Sequence, residues 1–102
     1  LSPPAAPEPL WRDPTAQPLL EYVTLPFCRD CVTFEALLAQ VEVDYPDLQV
    51  RAVPAEAPRG RELSVEQGIL RFPVIVLGGE VIAIESISEE QLRRHLDRAG
   101  EV

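Results

Sequence analysis

Two cysteines separated by two residues are the part of this sequence best suited to chemistry. Cys28 and Cys31 are the only cysteines among the 102 residues, and they lie in the stretch FCRDC. Random placement would produce this spacing roughly one time in fifty, so the spacing requires an explanation. Three explanations are open from the pair alone: a redox-active pair, half of a metal site, or two cysteines of the hydrophobic core.

The cysteines lie where a predicted strand gives way to a predicted helix. Residues 18–27 are apolar and β-branched up to Pro26, which is typical of a strand. From Cys28 onward, apolar residues recur at three- and four-residue spacing, which predicts a helix that ends near Val43. The predicted buried face of this helix consists of Cys31, Phe34, Leu37, Leu38 and Val41.

The start of a helix favours the charged form of Cys28. A thiolate, rather than a thiol, attacks a disulfide, and the unpaired N–H groups and the helix dipole stabilise that thiolate. Cys31 follows one turn later on the same side and is expected to lie deeper. We therefore expect Cys28 to attack a disulfide and Cys31 to resolve the mixed disulfide that forms. Arg29 and Asp30 carry opposite charges between them, and we expect solvent to screen both.

The remaining elements alternate between strand and helix patterns. Strands are predicted over residues 48–54, 72–77 and 80–85, and a weaker helix over residues 58–70. The Gly pair at 78–79 has the form of a two-residue hairpin turn. The resulting order, β-α-β-α-β-β-α, predicts an α/β fold with a four-stranded mixed sheet flanked by three helices on its two faces.

The last helix has the clearest boundary signals. Ser88 and Gln91 form a predicted capping box at its start, and Ile87 precedes the cap as one half of a hydrophobic staple. The buried stripe is predicted to run through Leu92, Leu96 and Ala99. Gly100 is predicted to end the helix in a left-handed conformation.

This order of elements, with C-x-x-C opening the first helix, resembles the thioredoxin fold. Residues 66–82, EQGILRFPVIVLGGEVI, are also similar to the part of thioredoxins in which Gly-Ile precedes a cis proline, a strand and a Gly-containing hairpin. The resemblance covers residues 18–99. It implies that the Phe72–Pro73 bond is cis and that Phe72 offers its backbone to an extended substrate. Phe27, Phe72 and Pro73 are therefore the candidate substrate-binding residues, beside the catalytic Cys28 and Cys31.

The sequence departs from these relatives at several places. Thioredoxins usually carry Trp-Cys-Gly-Pro-Cys and begin with an extra strand and helix, whereas this chain has Phe27 before its pair and a Pro-rich start. Glutaredoxins follow their last strand with a Gly pair that holds glutathione, and residues 82–86, IAIES, contain none, which argues against glutathione binding. Tyr22 stands where many thioredoxins bury an Asp, so the usual proton acceptor is absent.

Charge and composition exclude several classes of partner. The formal net charge is −8, which argues against binding nucleic acid or an anionic membrane surface. No apolar run is long enough to span a bilayer. Two cysteines and the distant His95 are too few for a metal site within one chain. Residues 1–17 hold five of the eleven prolines and are predicted to be a tail or linker, with the thioredoxin-like domain over residues 18–102.

These observations predict a monomeric thiol–disulfide oxidoreductase. We expect it to exchange disulfides with protein substrates, to be recharged by an upstream reductase, and to need no cofactor or metal beyond the Cys28–Cys31 disulfide. The alternatives are a non-catalytic adaptor domain of the same fold, and a dimer bridged by a metal ion. We expect a cytoplasmic protein because no signal is visible. Since the sequence starts at Leu1, export or tethering through a removed N-terminal segment is the alternative location.

Overall fold

The computed structural model of the protein describes residues 18–99, which form four strands and three α-helices. The elements are β1 (Leu19–Thr24), α1 (Arg29–Val41), β2 (Gln49–Pro54), α2 (Pro58–Leu63), β3 (Val74–Leu77), β4 (Glu80–Ile84) and α3 (Glu89–Ala99). Short 3-10 turns, Glu42–Asp44 and Val65–Gln67, follow α1 and α2. The predicted Pro-rich segment over residues 1–17 and the predicted helix stop at Gly100 lie outside the described residues.

The sheet is mixed, with the strand order β2-β1-β3-β4. β1 runs parallel to β2 and antiparallel to β3, and β3 and β4 form an antiparallel hairpin. Gly78 and Gly79 close that hairpin with φ angles of 60° and 87°, a left-handed pair that suits glycine in a two-residue turn. The predicted mixed sheet and hairpin turn are therefore confirmed.

Alternate residues of the central strands pack against different helices. Leu20 of β1 and Ile75 of β3 face one side, where they join apolar residues of α1 and α3. Val23 of β1 and Val74 of β3 face the other side, where Leu63 of α2 covers them. Because successive strand residues point to opposite faces and helices cover both faces, the two inner strands are buried on both sides.

The start of α3 forms as the sequence predicts. Ser88 Oγ accepts a hydrogen bond from the Gln91 N–H at 3.1 Å, and Gln91 Oε1 accepts one from the Ser88 N–H at 3.1 Å. Ile87 packs against the same core cluster as Leu92. Ala99 is exposed, so the predicted buried stripe is wrong at this residue. The buried face of α3 ends at Leu96, and the last turn extends past the residues that pack on the sheet.

Helix α2 is shorter than the sequence predicts, because a side chain intercepts its backbone. The helix ends at Leu63, where Ser64 adopts non-helical angles and its hydroxyl donates to the Gly60 carbonyl at 2.6 Å. A serine hydroxyl that bonds the backbone in this way competes with helix continuation. The chain then makes a 3-10 turn and reverses at Gly68, whose φ is 74°. The prediction of one helix over residues 58–70 is therefore wrong beyond Leu63.

Gly60 allows α2 to approach the end of β2 closely. It is buried, and a Cβ at this position would overlap the Pro54 carbonyl. The adjacent Arg61 is exposed and free of this constraint. A side chain at residue 60 would therefore push α2 away from the sheet.

We predict that Gly60→Ala lowers the free energy of unfolding by about 1 to 3 kcal/mol, although alanine is the better helix former. The overlap with backbone atoms of Pro54 cannot be relieved by a rotamer change. Urea unfolding measures the effect, and Arg61→Ala is the matched control, expected within about 0.5 kcal/mol of the wild type. A Gly60→Ala protein as stable as the wild type would contradict this packing.

A buried carboxylate on β1 also joins α2 to the sheet, through an ion pair. Glu21 of β1 is 2% exposed and accepts hydrogen bonds from Arg59 Nη2 at 2.9 Å and Arg59 Nε at 3.1 Å. Arg51 Nη1 of β2 lies 3.6 Å from the same carboxylate. The Arg59 hydrogen bonds, with the positive charges of Arg59 and Arg51, lower the pKa of Glu21 against the opposing effect of burial. This pair could not be predicted from residue types, because it depends on where α2 packs.

We predict that Glu21→Gln lowers the free energy of unfolding at pH 7 by about 1.5 to 3 kcal/mol, the range for a hydrogen bond to a charged group. The pKa of Glu21 is lower in the folded than in the unfolded protein, so its contribution is present above its ordinary value of 4.5 and is lost as pH falls through the folded pKa. The variant should therefore lose less stability than the wild type between neutral and acid pH.

Urea unfolding at several pH values measures this dependence. Glu62→Gln is the matched control, because Glu62 accepts from the same arginine at 2.6 Å but is exposed. It should remain within about 0.5 kcal/mol of the wild type. If the free energy of unfolding falls equally for Glu21→Gln and the wild type as the pH is lowered, the role of the buried pair is contradicted.

Candidate active site

Cys28 is the N-cap residue of α1. Its backbone is extended, with φ −107° and ψ 108°, and its sulfur accepts a hydrogen bond from the Cys31 N–H at 3.1 Å. Its carbonyl accepts the first helical hydrogen bond, from the Val32 N–H at 3.1 Å. A cap residue normally offers an oxygen to these unpaired amides. Here a sulfur takes that place, and the same amides stabilise negative charge on it.

The two cysteines differ in exposure. Cys28 is half-buried at the surface, whereas Cys31 is 2% exposed and lies on the buried face of α1. Their sulfurs are joined as a disulfide, and their Cα atoms are 5.2 Å apart. An incoming disulfide can therefore reach Cys28 from solvent. Cys31 can reach only what Cys28 has already bound.

The strand register brings residue 72 to Cys28. Val23 near the end of β1 pairs with Val74 at the start of β3, so the loop before β3 lies beside the start of α1. The Phe72–Pro73 peptide bond is cis, and Pro73 is fully buried. The Phe72 carbonyl oxygen lies 3.9 Å from Cys28 Sγ, within reach of a hydrogen bond from a reduced thiol. The candidate residues Cys28, Cys31, Phe72 and Pro73 are thus brought together.

Apolar side chains are exposed on segments next to the disulfide. Phe27 is fully exposed, and its φ of 58° is unusual for a bulky residue. Val32 and Leu70 are also exposed, one beside Cys31 and the other two residues before Phe72. The Phe72 side chain, in contrast, packs against the core under α2 and is only half-exposed. Phe72 therefore presents its backbone rather than its ring to the site.

An ion pair lies on the other side of Pro73. The Glu85 N–H donates to the Pro73 carbonyl at 2.8 Å, and the Glu85 carboxylate lies 3.4 Å from Arg71 Nη1. Glu85 has a φ of 78°, again a left-handed conformation in a residue other than glycine. Glu85 is not among the residues predicted for the site, because residue types do not reveal that the end of β4 meets Pro73.

Tyr22 occupies the core beneath α1. Its ring packs edge-on against Phe34 with centroids 5.3 Å apart, and its hydroxyl donates to Glu35 Oε2 at 2.8 Å. Burial, together with the hydrogen bond to Glu35, raises the pKa of Tyr22 to about 12. Tyr22 is therefore protonated at neutral pH and acts as a hydrogen-bond donor that ties α1 to β1.

Residues 18–99 show neither a cluster of metal ligands nor a membrane-spanning helix. In this part of the chain, no three His, Cys, Asp or Glu side chains come together as metal ligands would. None of its helices is both long and apolar enough to cross a bilayer. The chemistry that this region offers is concentrated at the Cys28–Cys31 pair.

Comparison with solved structures identifies the fold. The chain is similar to a thioredoxin-like protein from Clostridium perfringens, with a TM-score of 0.68 and 14% identity over 82% of this chain and 71% of that one. It is also similar to Fasciola hepatica thioredoxin, with a TM-score of 0.61 and 14% identity over 88% of each chain. Arabidopsis thaliana thioredoxin O2 in its oxidised state gives a TM-score of 0.59 and 18% identity over 80% of this chain and 74% of that one.

The protein therefore has the thioredoxin fold, as the order of its elements predicts. Its sequence matches no protein-family model and no curated protein. At these identities the similarity establishes the fold, and the role of the cysteines must be argued from their own geometry.

We predict that iodoacetamide modifies Cys28 of the reduced protein at least about tenfold faster than Cys31, because only Cys28 reaches solvent. Alkylation of Cys28 should also remain fast well below pH 8.5, roughly the ordinary pKa of a thiol, because helix amides stabilise its thiolate. Mass spectrometry of quenched samples measures both rates.

The reduced protein unfolded in guanidinium chloride is the control for this alkylation. There both cysteines should react equally and should follow the ordinary thiol pKa. Preferential modification of Cys31 in the folded protein, or an ordinary pH profile for folded Cys28, would contradict the assignment.

Proposed function

We propose that the protein is a thiol–disulfide oxidoreductase that acts on protein disulfides. The observation that carries the proposal is the unequal placement of the two sulfurs. Cys28 is half-exposed at the N-cap of α1, with the Cys31 amide at 3.1 Å, and Cys31 is buried directly behind it. A single chain thereby holds an accessible nucleophile and a protected second thiol at fixed positions.

The proposed reaction is a transfer of two electrons in two exchange steps. The Cys28 thiolate attacks one sulfur of a substrate disulfide, that S–S bond breaks, and the released substrate thiolate takes up a proton. Cys31 then loses its proton and attacks the Cys28 sulfur, and the second substrate sulfur leaves and is protonated. The substrate is now a dithiol and the protein a disulfide. A dithiol reductant, acting in the reverse direction, returns the protein to its reduced form.

The surroundings of Cys28 suit a polypeptide substrate. The Phe72 carbonyl lies 3.9 Å from Cys28 Sγ and the Phe72 ring is half-buried, so the backbone is the part of Phe72 available beside the sulfur for pairing with an extended chain. Phe27 and Leu70 provide exposed apolar surface on adjacent segments. A small charged thiol would use little of this surface, which supports a protein substrate.

The second candidate function is a binding module whose cysteines do not react. The observation that favours it is the fully exposed Phe27, which would contact a partner whether or not electrons were exchanged. The two functions make opposite predictions for cysteine variants. The adaptor should retain its partner after either cysteine is replaced.

We predict that the reduced wild type cleaves the disulfides of insulin and that Cys28→Ser abolishes this activity, because the attacking sulfur is gone. Cys31→Ser should attack once and remain joined to the substrate, because the resolving thiol is missing. Turbidity of the released insulin chain reports cleavage, and a non-reducing gel reports the trapped species.

Two controls complete this experiment. Val43→Ser alters an exposed residue in the turn that follows α1, at the opposite end of that helix from Cys28, and should keep most of the activity. Adding dithiothreitol to the trapped species should release the substrate and show that a disulfide held it. If both cysteine variants cleave insulin as the wild type does, the oxidoreductase proposal is wrong.

A further inference from the structure

Glu85 is held beside the candidate active site by its backbone. Its N–H donates to the carbonyl of Pro73 at 2.8 Å, and the preceding carbonyl, that of Phe72, lies 3.9 Å from Cys28 Sγ. Within residues 18–99, the only residues other than glycine with a positive φ are Glu85 and Phe27. Phe27 directly precedes Cys28, and Glu85 bonds to Pro73, the residue that follows Phe72. Left-handed conformations at bulky residues are unfavourable and tend to be retained at functional sites.

The ion pair between Arg71 and the Glu85 carboxylate is long and exposed to solvent. The two groups are 3.4 Å apart, and their side chains are 76% and 45% exposed, respectively. An exposed pair of this kind is weak, because water solvates both ions and the long arginine side chain loses freedom when it is held. A second cation arriving at the site can therefore take the place of the Arg71 guanidinium.

The two partners of this pair differ in how firmly they are attached. Glu85 is fixed at the end of β4 through its hydrogen bond to Pro73, whereas Arg71 lies in the irregular segment between Gly68 and Pro73. The backbone of Glu85 is thus tied to the residue that follows Phe72, and its carboxylate extends from that point. Arg29 and Asp30, which lie between the cysteines, are adjacent and opposite in sign, so they add little net charge beside the sulfur.

We propose that Glu85 selects disulfide substrates in which a basic side chain lies close to the reacting cysteine. This inference rests on the proposed oxidoreductase function. The bound substrate would be an extended chain over the Phe72 backbone, with its cation on the Glu85 carboxylate in place of Arg71. The formal charge of −8 acts in the same direction, because it attracts cationic chains from a distance.

The experiment uses three peptides, each with one internal disulfide and the same apolar neighbours. They differ at one position two residues from a cysteine, which carries Arg, Gln or Glu. The second-order rate constant for reduction by the reduced wild-type protein is measured at low salt. We expect the Arg peptide to react about two- to fivefold faster than the Gln peptide and the Glu peptide to react slowest. Added salt should compress these differences.

Three variants distinguish the effect of the Glu85 carboxylate on these rates from the effect of the protein's net charge. Glu85→Gln keeps the backbone contact with Pro73 and should abolish most of the preference for the Arg peptide. Glu80→Gln removes an equal charge from the exposed opposite end of the same strand and should keep the preference. Arg71→Gln uncovers the carboxylate and should increase the preference. Far-ultraviolet circular dichroism verifies that each variant is folded.

Each outcome has a definite consequence. Equal rates for the three peptides with the wild type would overturn the selection by Glu85 and leave the proposed function intact. Loss of the preference to the same extent in Glu80→Gln as in Glu85→Gln would also overturn it, because net charge alone would then explain the effect. Failure of the wild type to reduce any of the peptides would overturn the proposed function, and this inference with it.

Discussion

The antiparallel pairing of β1 with β3 is the constraint on which the candidate site depends. β1 ends a few residues before Cys28 and β3 begins directly after Pro73, so the register that pairs Val23 with Val74 sets the distance between sulfur and loop. A shift by one residue would reverse the faces of β3 and exchange its side chains between the two cores, where they would no longer fit. The site is therefore held by the buried centre of the sheet rather than by its own loops.

The helices then determine what each sulfur can do. α1 begins at the end of β1, so its unpaired amides surround Cys28, while its apolar face carries Cys31 toward the core. On the opposite face, the close approach of α2 at Gly60 and the buried Glu21–Arg59 pair anchor the segment that leads to Phe72. Two packing layers thus position the two halves of one site, α1 from one face of the sheet and α2 from the other.

The elements that could be predicted from the sequence are those whose signals lie in neighbouring residues. Apolar periodicity located α1, turn chemistry located the glycine hairpin, and the Ser88–Gln91 capping box located the start of α3. The end of α2, the partners of Glu21 and the place of Glu85 escaped prediction. Each depends on contacts between distant segments, which residue types alone do not specify. The same holds for the Phe72 ring, which packs under α2.

The proposed function requires Cys28 and Cys31 to act as one reversible two-electron couple. Equilibration of the protein with graded ratios of reduced to oxidised glutathione, followed by acid quenching, alkylation and mass spectrometry, tests it directly. We expect two dominant species, one with both thiols alkylated and one with neither, whose proportions follow a two-electron curve. Persistence of both free thiols at every ratio, or a dominant species carrying glutathione on one cysteine, would contradict it.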